Sequence, residues 1–397
     1  MTPVERRATV GLAGIFGLRM LGMFIVLPVL AIYAETLPGG RDHTLVGLAL
    51  GAYGLTQAVL QIPFGWASDR WGRKPVIVAG LVIFALGSFI AAWAPTIAWT
   101  IAGRTVQGAG AISAAAVALA ADLTRDEVRT RAMGAIGMTI GATFALSLVL
   151  GPALMDVIGV PGIFVMTGML AIAAIGVVTR AVPNAAPACA LAEPAGQWKR
   201  VLTDPQLLRL NYGIFALHAA LMALFVQVPF MLRANGIEPG RHWVVYLSVL
   251  AASVALMLPA MMNSDRPGFG KPVFIGAVAT LFAGQAMLAI AGASLPLTIA
   301  SLVVFFTAFN LLEATLPSLI SKFAPPGARG TAVGVYSSIQ FFGTFVGAAA
   351  GGWLSQHHGP AAVFGFCLVL SALWLAASAT MTAPPGLSRS TLSMGET

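Results

Sequence analysis

Long apolar runs separated by short polar joints repeat along the whole chain. A helix crossing a hydrocarbon core about 30 Å thick needs about 20 mostly apolar residues. On that ruler twelve spans are predicted, at 10–34, 44–67, 74–94, 97–121, 132–156, 161–181, 209–232, 243–263, 272–292, 295–320, 331–354 and 360–382. They are too long and too uniformly apolar for barrel strands, which alternate lipid-facing and lumen-facing residues. A backbone in lipid bonds within a helix or closes a barrel, so the pattern predicts an all-α integral membrane protein. The longest polar interval contains PNAAPACALAEPAGQWKR and is rich in Pro and Ala. It predicts an N-terminal six-helix bundle at 1–181, a cytoplasmic linker at 182–208, a C-terminal six-helix bundle at 209–382 and a short cytoplasmic tail at 383–397.

Composition strengthens this picture. Hydrophobic residues make up 58% of the chain and charged residues only 9%, against about 45–50% and about 25% in soluble domains. After MTPVERRATV the apolar run is too long for a signal-peptide core, so a retained first span is expected. Two cysteines, Cys189 and Cys367, make no disulfide framework, and no Cys/His cluster has metal-ligand spacing. Neither a metal nor a cofactor is expected.

The net charge of +8 raises the question of an anionic partner. With the N-terminus in the cytoplasm, seventeen of the twenty-two Lys and Arg residues fall on cytoplasmic segments, among them Arg6, Arg7, Arg125, Arg129, Arg131, Lys199, Arg200, Lys322 and Arg329. Only Arg41, Arg233 and Arg241 fall on the other side, and Arg19 and Arg104 lie inside spans. This is the positive-inside asymmetry. The charge is a topology signal, which argues against nucleic acid and predicts an inner-membrane protein with both termini cytoplasmic.

The two halves repeat. SDRWGRKPV at 68–76 recurs as SDRPGFGKPV at 264–273 with one residue inserted, and Arg129, Ala132, Gly134 and Gly151 recur 200 residues later as Arg329, Ala332, Gly334 and Gly351. Two parallel six-helix repeats around a site at their interface are a known plan for secondary transporters. The stretch GWASDRWGRKPV at 65–76 resembles the signature between helices 2 and 3 of the major facilitator superfamily, through Gly65, Asp69, Arg70, Gly72, Arg73 and Lys74. A generic basic loop explains the cations but not Asp69 or the glycines. Small residues let helix ends approach closely, and a carboxylate is favoured at a helix N-terminus. The resemblance implies a conformational latch in which Asp69 faces the start of helix 11 near Gly330 and Thr331, and Arg73 pairs with Asp122. Such contacts are expected only when the cytoplasmic side is closed.

Further motifs agree in part. RTVQGAGA at 104–111 resembles a second family signature, and SLVLGPAL at 147–154 carries the Gly151-Pro152 pair of its exporter branches, with Met155 and Asp156 in place of a trailing glycine pair. Leu21-Gly22 with Pro28-Val29 resembles a drug-exporter signature that lacks its final Pro. The stretches 17–30, 53–75 and 309–322 resemble YajR-type transporters of the drug:proton antiporter branch, without the soluble C-terminal domain that type can carry.

Four ionisable residues lie well inside spans: Arg19, Arg104, His218 and Glu313, on helices 1, 4, 7 and 10. The resemblance implies that these helices line the central cavity, and charges in spans are functional candidates by default. Glu313, the only carboxylate well inside a span, is the first candidate for proton coupling, with His218, Arg19 and Arg104 beside it; the alternatives are a static salt bridge from Glu313 to Arg19 or Arg104, a structural Arg104 buried against backbone carbonyls and a His218 that is simply hydrogen-bonded. Gln57, Gln61, Gln227, Asn310 and Gln340 are candidate polar contacts for a substrate. Met23, Phe24, Met222, Phe225 and Phe309 are candidate apolar lining, although packing explains them as well.

The chain therefore resembles a monomeric, proton-driven exporter of small amphipathic or hydrophobic molecules working by alternating access. A proton-coupled uptake carrier for a metabolite or sugar is the runner-up, and a receptor without transport is a remote one. No phosphate-binding loop, GxSxG, HExxH or pair of buried carboxylates supports ATP drive or an enzyme.

Overall fold

The computed structural model describes residues 1–184, 197–264, 270–325 and 328–382. The sequence-predicted tail at 383–397 and most of the linker, with Cys189, lie outside them. Among the described residues, eleven helices are long and apolar enough to span a membrane, and one of these, Arg131–Ala181, has 51 residues. It is two spans in one run, because Gly159 breaks it with φ 67° and ψ 171°, a conformation in which a side chain is strained. Twelve spanning helices result.

In chain order they are α1 (Pro3–Ala34), α2 (His43–Trp71), α3 (Arg73–Ala92), α4 (Ile97–Asp122), α5 (126–158) and α6 (160–181). After a short helix at Gln197–Thr203 come α7 (Pro205–Ala234), α8 (His242–Ser264), α9 (Gly270–Ala291), α10 (Leu295–Phe323), α11 (Arg329–His358) and α12 (Pro360–Ala379). Helix starts follow local chemistry. Thr2 and Glu5 form a capping box at α1, and Asp42 and Asp204 cap α2 and α7 through backbone N–H groups.

Two helices expected to be continuous are broken. The first, α1, is interrupted at Ile25–Val26, just before Pro28. The second, α4, unwinds between Ala109 and Ser113, with Gly110 at φ −74° and ψ 58°. Both breaks lie at membrane depth, where freed carbonyls must find donors. A Cβ on Gly151 of α5 would sit 2.4 Å from the Ile25 carbonyl oxygen. The glycine of the Gly151-Pro152 pair thus allows α5 to lie against the α1 break.

Within the first half α1 packs on α5, and α3 on α4; within the second, α9 packs on α10 and α12. The cores show how the halves meet. One buried cluster joins Leu12, Phe16, Tyr53, Phe84, Leu119 and Val178, all in the first half, and from the second half takes in Phe341. The other runs unbroken from Ile25, Leu30, Val46 and Phe164 into Leu217, Phe305 and Val363 of the second half. The halves therefore share a core at the end where α1 finishes and α2 begins.

At that end α2 and α11 touch backbone to backbone. A Cβ on Gly47 would lie 2.2 Å from the Ala348 carbonyl oxygen, and one on Gly352 2.3 Å from that of His43. At the opposite end, a Cβ on Gly134, Gly137 or Gly141 of α5, or on Gly330 or Gly334 of α11, would meet nothing within 4 Å. There a shallow, open groove runs along α1 and α5, lined by Thr9, Val10, Ala13, Gly14, Ala135, Met138, Thr139 and Ala142. The molecule is closed at the Glu35 end and open at the end that carries its N-terminus.

Candidate functional site

Glu313 sits on α10, one turn after Phe309. The Phe309 ring lies 5.9 Å from that of Phe144 on α5, so this face of α10 points at the other half. The Glu313 side chain keeps 37% of its surface accessible. Gln340 of α11 donates from Nε2 to Glu313 Oε1 at 3.4 Å, and the same nitrogen lies 2.8 Å from His218 Nε2 on α7. With Gln340 donating, His218 Nε2 is the acceptor and the ring is neutral. His218 Nε2 lies 3.8 Å from Glu313 Oε2, an ion pair only when the histidine is protonated. Glu313 Oε2 and the hydroxyl of Tyr336, one turn before Gln340, are buried without hydrogen-bond partners. The Glu313 carboxylate thus has one oxygen without a donor, 3.8 Å from the imidazole.

The first half holds a different node at the matching station. Arg19 of α1 donates to Ser113 Oγ at 2.9 Å, to the Tyr53 hydroxyl at 2.8 Å and to the Gly110 carbonyl at 3.5 Å. Gln57 reaches the same carbonyl at 3.4 Å, so the two side chains satisfy the unwound turn of α4. Arg104 donates to Gln107 Oε1 at 2.6 Å, Gln107 donates to Ser88, and the guanidinium lies 5.0 Å from the centre of the Tyr53 ring. Arg19 is 0% and Arg104 1% exposed. In this conformation both are packed into the core of the first half rather than set on the cleft wall, and Glu313 is bonded to Gln340 and beside His218 rather than to either arginine.

The offset of 200 between the halves pairs Ser113 with Glu313 and Gly110 with Asn310. Arg19 and His218 stand 199 residues apart, one short of that offset, so Arg19–Ser113 and His218–Glu313 are corresponding contacts. Asn310 donates to Ser253 Oγ at 3.2 Å. Sequence reasoning missed Tyr53, Gln107, Ser113, Ser253 and Tyr336, although the same offset applied to every polar residue in the spans points to Ser113. Gln57 and Gln61 are buried in the first half, and Gln227 accepts from Ser355 at 3.0 Å. Met23, Met222, Phe225 and Phe309 are core residues and Phe24 is half-buried, in edge contact with Phe144 at 5.1 Å.

The charged loop between α2 and α3 differs from expectation. Asp69 pairs with Arg73 and its side chain is 55% exposed, while the space beside Gly330 is open. The expected facing of Asp69 against the α11 N-terminus is absent because the halves are apart at this end. Arg73 Nε donates to Asp122 Oδ2 at 3.0 Å, a contact within the first half that does not depend on closure. Gly72 has φ 93° and ends α2, so it serves the turn rather than close packing, whereas Gly65 faces Ala114 of α4. Arg70 is exposed and lies 5.7 Å from the Trp66 ring. Lys74 donates to the Val182 carbonyl at 2.6 Å, and Lys271 in the second copy of the loop to the Ala379 carbonyl at 3.0 Å. Both lysines thus cap the last turn of the sixth helix of their half, as cations at helix C-termini do. The second copy at 265–269 lies outside the described residues.

Comparisons with known proteins agree with this architecture. A family profile described as Major Facilitator Superfamily matches residues 12–343 and 229–395. The chain is 44% identical over 391 residues to the inner membrane transport protein YajR of Escherichia coli K12, covering 98% of this chain and 86% of that one. It is 27% identical over 355 residues to the multidrug resistance protein MdtH of Aeromonas hydrophila, covering 85% of each. Among solved structures, a bacterial homolog of the human lysosomal transporter Spinster in an inward-facing and occupied conformation superposes with a TM-score of 0.76 at 15% identity, covering 96% of this chain and 98% of that one. The fold, the paired repeats and these likenesses lead to one conclusion: the chain is a multi-pass membrane transporter that belongs to the major facilitator superfamily.

Proposed function

We propose that the protein is a proton-coupled exporter of small amphipathic or hydrophobic compounds in the inner membrane, moving them by alternating access between its two six-helix halves. The observation that carries this reading is the cluster of Glu313, His218 and Gln340, because it places a carboxylate oxygen without a donor on the face of α10 turned to the other half. Placing the basic loops in the cytoplasm makes the open end the cytoplasmic one, so the structure is read as inward-facing. In that state an apolar compound enters along the shallow apolar groove between α1 and α5. Protonation of Glu313 from the outer side and its release to the cytoplasm then accompany the swing between states. A multidrug resistance protein among the relatives supports the direction of transport. The charged loop between α2 and α3 acts as the inner latch, with Asp69 meeting the start of α11 when the cytoplasmic side closes.

The test is reconstitution into liposomes with an imposed proton gradient and a panel of lipophilic cations, lipophilic anions and metabolites. Expected is substrate-dependent proton flux opposite to the movement of an amphipathic compound. Proton and substrate moving together would contradict export and favour uptake.

A further inference from the structure

At the closed end, six side chains from four helices join the two halves. Glu35, at the end of α1, receives a two-pronged contact from Arg233 of α7, at 2.5 and 2.9 Å. The Arg233 guanidinium lies 5.4 Å from the centre of the Phe230 ring, one turn earlier on α7. Stacked parallel on the Phe230 ring at 5.0 Å is the imidazole of His43, the first residue of α2. His43 reaches α11 twice, with Nδ1 2.8 Å from Ser355 Oγ and the backbone N–H donating to Gln356 Oε1 at 2.8 Å. Ser355 in turn donates to Gln227 of α7 at 3.0 Å. The chain of contacts runs from α1 to α7, to α2, to α11 and back to α7, crossing between halves at every link but the last.

These groups bond well only in the closed arrangement. A bidentate guanidinium–carboxylate pair fixes direction as well as distance, and it breaks as a unit when α1 and α7 separate. The stacked imidazole and its two partners on α11 require the backbone approach at Gly47 and Gly352, where a Cβ would lie 2.2 and 2.3 Å from the facing carbonyl oxygens. The positive-inside rule asks for few cations at this end, so Arg41, Arg233 and Arg241 stand out there. Arg233 has a partner across the interface, which gives it a purpose that topology alone does not.

We infer that Glu35, Arg233, Phe230 and His43, with Ser355 and Gln356, form an outer clasp that sets the balance between the inward- and outward-facing states. It is the counterpart, at the other end of the molecule, of the latch assigned to Asp69. The inference rests on the alternating-access reading, but its test needs neither a substrate nor a proton gradient. A ligand of the central cavity that favours outward opening works against the clasp, so loosening it changes the resting state without touching the Glu313 cluster.

The experiment places spin labels on Pro95→Cys and Ala293→Cys, in the outer loops before α4 and α10, in a background with Cys189→Ser and Cys367→Ala. The distance distribution is measured in detergent and in nanodiscs for four proteins: the parent, Glu35→Gln, Arg233→Gln and the swap of Glu35→Arg with Arg233→Glu. Expected is a short-distance population in the parent. Each single variant raises the ratio of long to short distances by about threefold, the scale of a part-exposed ion pair. The swap restores the parent distribution. Single variants indistinguishable from the parent, or a swap that stays as open as the singles, would overturn the clasp. Failure of transport in the liposome assay with these distances as expected would count against the proposed function alone.

Discussion

Individual side chains divide into those that hold a charge and those that can change one. Arg19 and Arg104 are buried cations with hydroxyl, carbonyl and ring partners; in the second half His218 stands at the station of Arg19, and Glu313 at that of its partner Ser113. Sequence singled out all four because a charge in a span demands a reason. It left a buried structural role open for Arg104 and gave no sign that Arg19 turns inward, since the partners of Arg19, Tyr53 and Ser113, are ordinary residues until the fold brings them within 3 Å. The outer carboxylate yields a pH prediction. The Arg233 guanidinium beside Glu35 holds its carboxyl below the usual carboxylate range, helped by His43 and Arg41 and opposed by partial burial. A group whose folded pKa is depressed contributes stability that is present above its unfolded pKa and lost as pH falls through the folded value. The distance between outer labels is therefore expected to stay constant from about pH 8 to about pH 6 and to lengthen only below about pH 4. Lengthening between pH 7 and pH 6 would contradict the assignment to Glu35.

Elements were legible wherever the hydrophobic runs were long. Twelve spans and the turn near 157–160 follow from residue type, because Gly159 and Pro161 interrupt an otherwise apolar run. The breaks in α1 and α4 were not legible. Gly110 unwinds the helix only because Arg19 and Gln57 accommodate its carbonyl, which is a tertiary fact. The glycines of the charged loop separate into two kinds with different costs. Gly72→Ala, at φ 93°, is expected to lower stability by roughly 1–3 kcal/mol, as residues forced into sparsely populated backbone do. Gly65→Ala, whose new methyl would lie 3.4 Å from the Ala114 Cβ, is expected to cost less than about 0.5 kcal/mol. Thermal unfolding of the purified variants in one detergent compares them; equal melting temperatures would remove the turn argument for Gly72. Asp69→Asn is expected to leave the inward-facing state unchanged and to weaken the inner-closed one, read as increased reactivity of a cysteine placed at Met138 under conditions that favour outward opening.

For the whole molecule, the same glycine-rich helices that close one end leave the other apart, and the larger core runs through both halves from the closed end while the first half's own core reaches the second only at Phe341. The repeat was visible in sequence through its constant offset, whereas the conformation was not, because motifs describe both states of a transporter equally. In the proposed function Glu313 carries the coupling proton between those states. The direct measurement compares Glu313→Gln with the parent in the same proteoliposomes, using a compound that the panel identifies as transported. Exchange of labelled for unlabelled compound without a gradient is expected to persist, while accumulation driven by an imposed proton gradient is lost. Gradient-driven accumulation at the parent's level in Glu313→Gln would contradict that role.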